Sequence, residues 1–134
     1  MLLYLLLAVA SGAAASDSAA RAFERAERRL AENRLDEASA LYQQAIAVKP
    51  SFKLAYFNLG YALRKTNDLE GAARAYEKYV ELDPEDPDGF FGLGESYRRL
   101  GQQAKAIAAY EQFIAKETRP SEQRRDRRPR RQVP

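Results

Sequence analysis

The stretch that decides the fold is residues 53–84, KLAYFNLGYALRKTNDLEGAARAYEKYVELDP. Its first half is too dense in apolar residues for a single stripe, which predicts a helix that buries more than one face. The pair Asn67-Asp68 then interrupts the pattern, as residues of a turn or cap do. Apolar residues return at steps of three and four until Asp83-Pro84, where proline disfavours helical geometry in the preceding residue. The stretch predicts one helical hairpin.

The same pattern recurs on both sides of this hairpin with a fixed period of about 34 residues, which is typical of stacked helical repeats. No insertion or deletion is needed to align the units. The forward pairs are Tyr56–Phe90, Phe57–Phe91, Leu59–Leu93, Gly60–Gly94, Ala72–Ala106, Tyr76–Tyr110, Tyr79–Phe113 and Val80–Ile114, and the backward pairs include Ala72–Ala38, Tyr76–Tyr42 and Pro84–Pro50. The period predicts an all-α fold of three stacked antiparallel helical hairpins.

Two positions of each predicted hairpin hold small residues. They are Ala26, Gly60 and Gly94 in the first helices, and Ala38, Ala72 and Ala106 in the second helices. Small side chains let two helices approach closely, and the aromatic residues beside them fill the remaining space. These six positions predict where the helices of each hairpin cross.

The residues at these spacings resemble the tetratricopeptide repeat family. The middle unit matches the family signature at Tyr56, Leu59, Gly60, Leu63, Ala72, Tyr76, Tyr79 and Pro84, and the third at Phe90, Leu93, Gly94, Tyr97, Ala106, Tyr110 and Phe113, with Thr118 where proline is usual. The first unit is degenerate in its first helix. The predicted organisation is a signal peptide in 1–15, a degenerate repeat in 19–52, repeats in 53–86 and 87–120, and a disordered arginine-rich tail in 121–134.

The N-terminus predicts export. An unbroken apolar run, residues 2–10, is followed by small residues that offer signal-peptide cleavage sites, and no Lys or Arg precedes it. A 15-residue helix reaches about 22 Å, which is short of a bilayer core of about 30 Å. We therefore predict a periplasmic or secreted protein of a bacterial cell envelope. The alternatives are an uncleaved membrane anchor, a cytoplasmic protein with a mis-assigned start, or an apolar helix packed on the hairpins.

The composition removes several kinds of chemistry. The chain has no cysteine and no histidine, so it lacks thiol catalysis, disulfides, the commonest general base and the commonest transition-metal ligands. No segment resembles a glycine-rich phosphate-binding loop. We predict that the protein is not an enzyme, and that it uses no catalytic residue, metal, cofactor or small-molecule substrate.

The family resemblance implies that the first helices line a concave groove that binds an extended peptide or a partner helix. This predicts a protein-interaction scaffold or assembly adaptor. Phe23, Phe57 and Phe91 would form an aromatic column, and the pairs Arg64-Lys65 and Arg98-Arg99 a basic rim, both suited to anchors with an acidic flank. The full predicted groove set is Phe23, Glu27, Leu54, Phe57, Asn58, Tyr61, Arg64, Lys65, Phe91, Glu95, Arg98 and Arg99. Alternatively, the column is inter-repeat packing and the basic pairs are solvated helix ends.

One branch of the family can be tested residue by residue. Its chaperone-adaptor members grip a terminal carboxylate with lysine, asparagine and arginine, and the corresponding positions here are Phe23, Glu27, Asn58, Asp88 and Gly92. Only Asn58 matches, and two of the others are acidic. The comparison predicts that this chain does not bind the tails of heat-shock chaperones.

The C-terminal tail suggests a second function. Its basic residues are Arg124, Arg125, Arg127, Arg128, Arg130 and Arg131, against only Glu122 and Asp126. Such a cluster attracts polyanions (nucleic acid, anionic lipid or an envelope polymer) through charge and not through base recognition, or it serves only as a solubilising end. The tail lacks an amphipathic period, so it cannot cover the last helix. We therefore also predict self-association through that uncapped helix.

Overall fold

The computed structural model describes residues 2–117, with the side chains of residues 12–117. This part of the chain is all-α. Its helices are α1 Leu2–Ala31, α2 Leu35–Val48, α3 Lys53–Lys65, α4 Leu69–Leu82, α5 Pro87–Arg99 and α6 Gln103–Glu117. The predicted fold class is therefore confirmed.

The helices form three stacked hairpins: α1–α2, α3–α4 and α5–α6. Three residues join the two helices of a hairpin and four residues join one hairpin to the next. Helices joined by such short turns run in opposite directions, so α1, α3 and α5 run the same way and form one layer of the stack. The helices α2, α4 and α6 form the other layer.

The turn inside each hairpin depends on one residue in the left-handed region. Asn33, Asn67 and Gly101 have φ values of 59°, 67° and 76°, and they occupy the same position of the three hairpins. Asparagine and glycine adopt this conformation at lower cost than other residues. Next to Asn67, the carboxylate of Asp68 accepts a hydrogen bond of 2.9 Å from the amide of Gly71 and caps α4. The predicted break at Asn67-Asp68 is thus confirmed.

The turn between the second and third hairpins ends at a buried aspartate. The Asp86 carboxylate accepts a hydrogen bond of 3.1 Å from the amide of Asp88, and Pro87 opens α5. The other oxygen of this carboxylate accepts a bond from the Tyr79 hydroxyl. The helix cap follows from the sequence, whereas the tyrosine that links α4 to this cap does not.

The small residues lie where the helices of each hairpin cross. Ala38 and Ala72 are fully buried. A Cβ atom on Gly60 would lie 2.9 Å from the ring of Tyr76, and one on Gly94 would lie 2.8 Å from the ring of Tyr110. The glycines therefore leave room for a tyrosine ring from the second helix of the same hairpin.

The N-terminal segment continues into α1 as one helix. Packing against the hairpins begins at Ala19, while residues 12–18 are exposed and so do not pack on the body. Among the described residues, no helix combines the length and apolar character that a membrane span needs. The arginine-rich tail in 121–134 lies outside the described residues. Export and the disorder of the tail stay predictions of the sequence.

We expect Ala72→Leu to lower the free energy of unfolding by about 1–3 kcal/mol, because the larger side chain overpacks the buried crossing of α3 and α4. The matched control is Ala40→Leu on α2, where the side chain is exposed and the change should stay within about 0.5 kcal/mol. Urea denaturation followed by circular dichroism measures both. Equal stabilities of the two variants would contradict the crossing at Ala72.

Candidate functional site

The face formed by α1, α3 and α5 contains a cleft of about 300 Å³ between α3 and α5. Its lining residues, which define the α3–α5 cleft, are Phe57, Tyr61, Arg64, Tyr76, Asp88, Phe91 and Gly92. Most of the lining is aromatic, and Phe91 is 41% exposed, which is unusual for a phenylalanine in a folded chain. The cleft is therefore an apolar surface with one basic and one acidic side chain.

Two glycines position the Tyr76 ring, which forms the floor of the α3–α5 cleft. The ring of Tyr76 lies against Gly60 in its own hairpin and against Gly92 in the next one. A Cβ atom on Gly92 would come within 2.5 Å of this ring, so any other residue would force the ring to move. Gly92 thus lets α5 approach Tyr76 and leaves open the space beside it.

The equivalent place between α1 and α3 is bridged by polar groups. Glu27, which occupies the repeat position of Tyr61, accepts a hydrogen bond of 2.6 Å from Asn58 Nδ2 and another from the Tyr42 hydroxyl. Asn58 is buried and stands where α5 has Gly92. Burial, followed by the bond to the Glu27 carboxylate, raises the pKa of Tyr42. Hydrogen bonds of Glu27 and Asn58 thus join α1 to α3 at the first junction. The equivalent residues at the second junction, Tyr61 and Gly92, line the α3–α5 cleft.

The two arginines at the same repeat position have different partners. Arg98 donates to both oxygens of Glu95, at 3.2 and 2.9 Å, and the Tyr110 hydroxyl donates to the same carboxylate. These bonds, from Arg98 first and Tyr110 second, and the nearby charge of Arg64 lower the pKa of Glu95 to about 2. Within residues 12–117, the guanidinium of Arg64 has no carboxylate within 4.0 Å. Arg64 therefore forms no salt bridge among these residues, although its charge acts on Glu95.

The second residue of each basic pair faces the protein itself. Lys65 places its ammonium 5.6 Å from the centre of the Tyr61 ring. Arg99 donates to the backbone oxygen of Arg64 at 3.2 Å and to Asn67 Oδ1 at 2.8 Å. Arg99 thereby ties the third hairpin to the end of α3, a role that the sequence pattern did not reveal.

The predicted aromatic column consists of three unequal residues. Phe23 is half-buried and packs on Phe52 and Tyr42, with ring centres 4.7 and 5.7 Å apart. Phe57 is buried against Tyr76 and Tyr79, although its edge lines the α3–α5 cleft. These ring contacts of the first two positions thus lie within their own repeats, 19–52 and 53–86, and not between repeats as the alternative interpretation expected. Phe91 is the most exposed of the three. The contact of all three with a partner stays a prediction, as it does for the half-buried Leu54.

Sequence reasoning missed the Tyr–Glu hydrogen bonds. The signal was present, because Glu27 precedes Tyr42 by 15 residues and Glu95 precedes Tyr110 by the same distance. A glutamate and a tyrosine on neighbouring antiparallel helices are in reach of each other when this spacing recurs. No group of three or more metal-ligating side chains occurs in the described part of the chain. The predicted polyanion-binding arginines of the tail lie outside it.

The stacked hairpins define a helical-repeat protein. A sequence model of the tetratricopeptide repeat matches residues 23–87 and 65–122, which together are most of the chain. The chain belongs to the tetratricopeptide repeat family. Members of this family are typically non-enzymatic scaffolds. Comparison of the sequence with curated proteins gives no significant match.

Solved structures show the same fold. The crystal structure of MamA is 23% identical, with a TM-score of 0.71 over 75% of this chain and 58% of that one. A chain of the CopN–Scc3 complex is 15% identical, with a TM-score of 0.75 over 78% and 62%. The second TPR of Spaghetti (RPAP3), bound to the HSP90 peptide SRMEEVD, is 21% identical, with a TM-score of 0.71 over 75% and 93%. This chain thus spans less than two thirds of the first two.

We expect the carboxyl group of Glu95 to titrate with a pKa of about 2, as measured by its side-chain carbonyl shift in ¹³C NMR. Because this pKa lies below the ordinary value of 4.5, the interaction stabilises the fold above about pH 4.5 and is lost as the pH falls towards 2. The variant Arg98→Gln should raise the pKa of Glu95. The control Lys78→Gln removes an exposed pair with Glu81 and should leave it unchanged. An unaltered titration in Arg98→Gln would contradict the assignment.

Proposed function

We propose that the protein is an interaction scaffold that binds a segment of another protein on the face of α1, α3 and α5, with the α3–α5 cleft at the centre of the contact. The observation that carries this proposal is the cleft itself, where Arg64 and the exposed Phe91 flank a wall of aromatic rings. Aromatic residues and arginine contribute most of the binding free energy in many protein interfaces. Buried apolar contact supplies affinity there, and the charged group supplies orientation.

Solved relatives support a protein partner in general terms. One neighbour is bound to an HSP90 peptide, and another belongs to a complex of two proteins. The peptide is a property of that neighbour. In this chain, Asp88 and Gly92 line the cleft at two positions where the chaperone-adaptor pattern needs basic residues, and Asn58 is engaged by Glu27. The proposed partner is therefore a different segment from the chaperone tail.

The exposed apolar residues of α6 favour a second, weaker interaction, which is self-association through this helix. Ile107 and Ile114 are 58% and 60% exposed. The equivalent residues of α4 are Ala73 and Val80. Ala73 is only 4% exposed, and Val80 lies against Gly89 of α5. The outer side of α6 is thus the surface on which the next hairpin would stack.

The opposite end of the stack does not fit this surface. The residues of α1 equivalent to Gly89 and Gly92 are Arg21 and Glu24, and both are exposed. Stacking α1 of a second copy on α6 would bury these charges against Ile107 and Ile114. The partner that suits α6 within this chain is α6 of a second copy. Two exposed isoleucines supply much less apolar area than the roughly 800 Å² that each partner buries in a stable complex. We therefore expect the association to be weak.

To test the groove, a photo-reactive phenylalanine replaces Tyr61 to identify the partner by cross-linking, and the same residue at Lys78 on α4 serves as a control position. We then expect Phe91→Ala to weaken binding of the purified partner tenfold or more, because an exposed aromatic ring that lines the cleft is lost. The matched control Leu82→Ala removes an apolar side chain that is 36% exposed on α4 and should change binding less than twofold. Thermal melts of both variants verify folding. Equal binding by the two variants would refute the groove.

Self-association is tested by sedimentation velocity over a range of concentrations. The sedimentation coefficient of the native chain should rise with concentration, and the double variant Ile107→Gln, Ile114→Gln should remain monomeric, because the apolar face is removed. The control Val48→Gln alters a residue that is 41% exposed on α2 and should behave like the native chain. A native chain that stays monomeric at high concentration would rule out the association.

A further inference from the structure

The two junctions between hairpins differ in a way that points to the chemistry of the bound segment. At the first junction, the Glu27 carboxylate is occupied by Tyr42 and Asn58. At the second junction, the same repeat positions hold Tyr61 and Gly92, so neither the carboxylate nor the amide is present. The α3–α5 cleft lies at this place.

We propose that the α3–α5 cleft receives one bulky apolar side chain of an extended segment, and that Arg64 pairs with an acidic residue beside that anchor. This inference rests on the proposed function and specifies the ligand of the same groove.

The size of the cleft suits a single large side chain. The space of about 300 Å³ is enough for one large apolar side chain. It also lies at the lower limit of pockets that enclose a whole small molecule. An extended segment can insert one side chain into such a space while its backbone runs across the opening.

The residues that line the cleft indicate which kind of side chain it accepts. The rings of Phe57, Tyr61 and Phe91 line the space, and Tyr76 lies at its base beside Gly92. Aromatic walls favour an aromatic or large aliphatic group, because rings pack edge-to-face or offset against one another. A small or charged side chain would leave the walls hydrated and gain little.

The two charged residues of the cleft indicate which residue should lie beside the anchor in the bound segment. Arg64 is in the last turn of α3 and Asp88 is in the first turn of α5. Because these helices run the same way, the two charges mark opposite ends of the α3–α5 cleft. An acid beside the anchor is attracted at the Arg64 end, where a guanidinium can form two parallel hydrogen bonds with a carboxylate. An acid at the other end would meet the carboxylate of Asp88.

The arginine one repeat later is not equivalent to Arg64 in its surroundings. Arg98 occupies the position equivalent to Arg64 one repeat later, but its guanidinium is already bound to Glu95. Arg99 binds the backbone oxygen of Arg64 and not its side chain, so Arg64→Gln leaves that link between hairpins in place. The matched control is Arg74→Gln, which removes the same charge from an exposed position of α4 outside the predicted groove.

The experiment selects peptides from a random twelve-residue display library on the full chain and measures synthetic copies by fluorescence anisotropy. We expect enrichment of a Phe, Tyr, Trp, Leu, Ile or Met next to an Asp or Glu. Replacing the anchor by Ala should weaken binding tenfold or more, and Arg64→Gln should weaken it at least fivefold. Replacing the peptide's acid by Gln should add little in Arg64→Gln, since both changes remove the same pair. Arg74→Gln should bind within twofold of the native chain.

The outcomes separate this inference from the proposed function. Selected peptides that lose affinity in Phe91→Ala but are indifferent to Arg64→Gln, or to replacement of the anchor, would overturn the inference and leave groove binding intact. If no peptide is selected, or if none responds to Phe91→Ala, then groove binding of a segment fails and the inference fails with it. Thermal melts of every variant confirm that the losses do not come from unfolding.

Discussion

The packing of the Tyr76 ring between two glycines is the contact on which the centre of the stack depends. Gly60 lets the ring lie at the crossing of α3 and α4, and Gly92 lets α5 close on its other side. The side chain is fully buried, so one residue fixes both the geometry within a hairpin and the geometry between hairpins. Tightly packed interiors tolerate little change in volume at such a position. The floor of the α3–α5 cleft is a consequence of this contact.

The sequence predicts the fold well because the repeat is determined by local rules. Positive-φ residues, small residues at crossings and prolines after helices each act within a few residues of chain, and each recurs with the same period. The hydrogen bonds of Arg99 and of Tyr79 could not be predicted in this way. They depend on how one hairpin is placed against the next, which a residue's type and position do not determine.

The sequence predicts the candidate site in less detail than the fold, because residues at equivalent repeat positions have different surroundings. Arg64 and Arg98 look alike in the sequence, yet Glu95 binds one of them while Tyr61 stands at the corresponding place beside the other. Phe23 and Phe91 likewise share a position, but Phe52 covers the first and the second stays open to solvent. Periodicity identifies candidates, and the neighbours of each candidate decide its chemistry.

Three positions at which the hairpins differ lie together. Tyr61 stands where the other two hairpins have glutamate, Asp88 stands where the middle hairpin has Leu54, and Gly92 stands where it has Asn58. All three departures line the α3–α5 cleft. At the equivalent place in the first junction, Glu27 is joined to Asn58 and Tyr42 by hydrogen bonds. The convergence of the three departures is what a binding site superimposed on a structural repeat would produce, with binding specificity residing in the irregular positions.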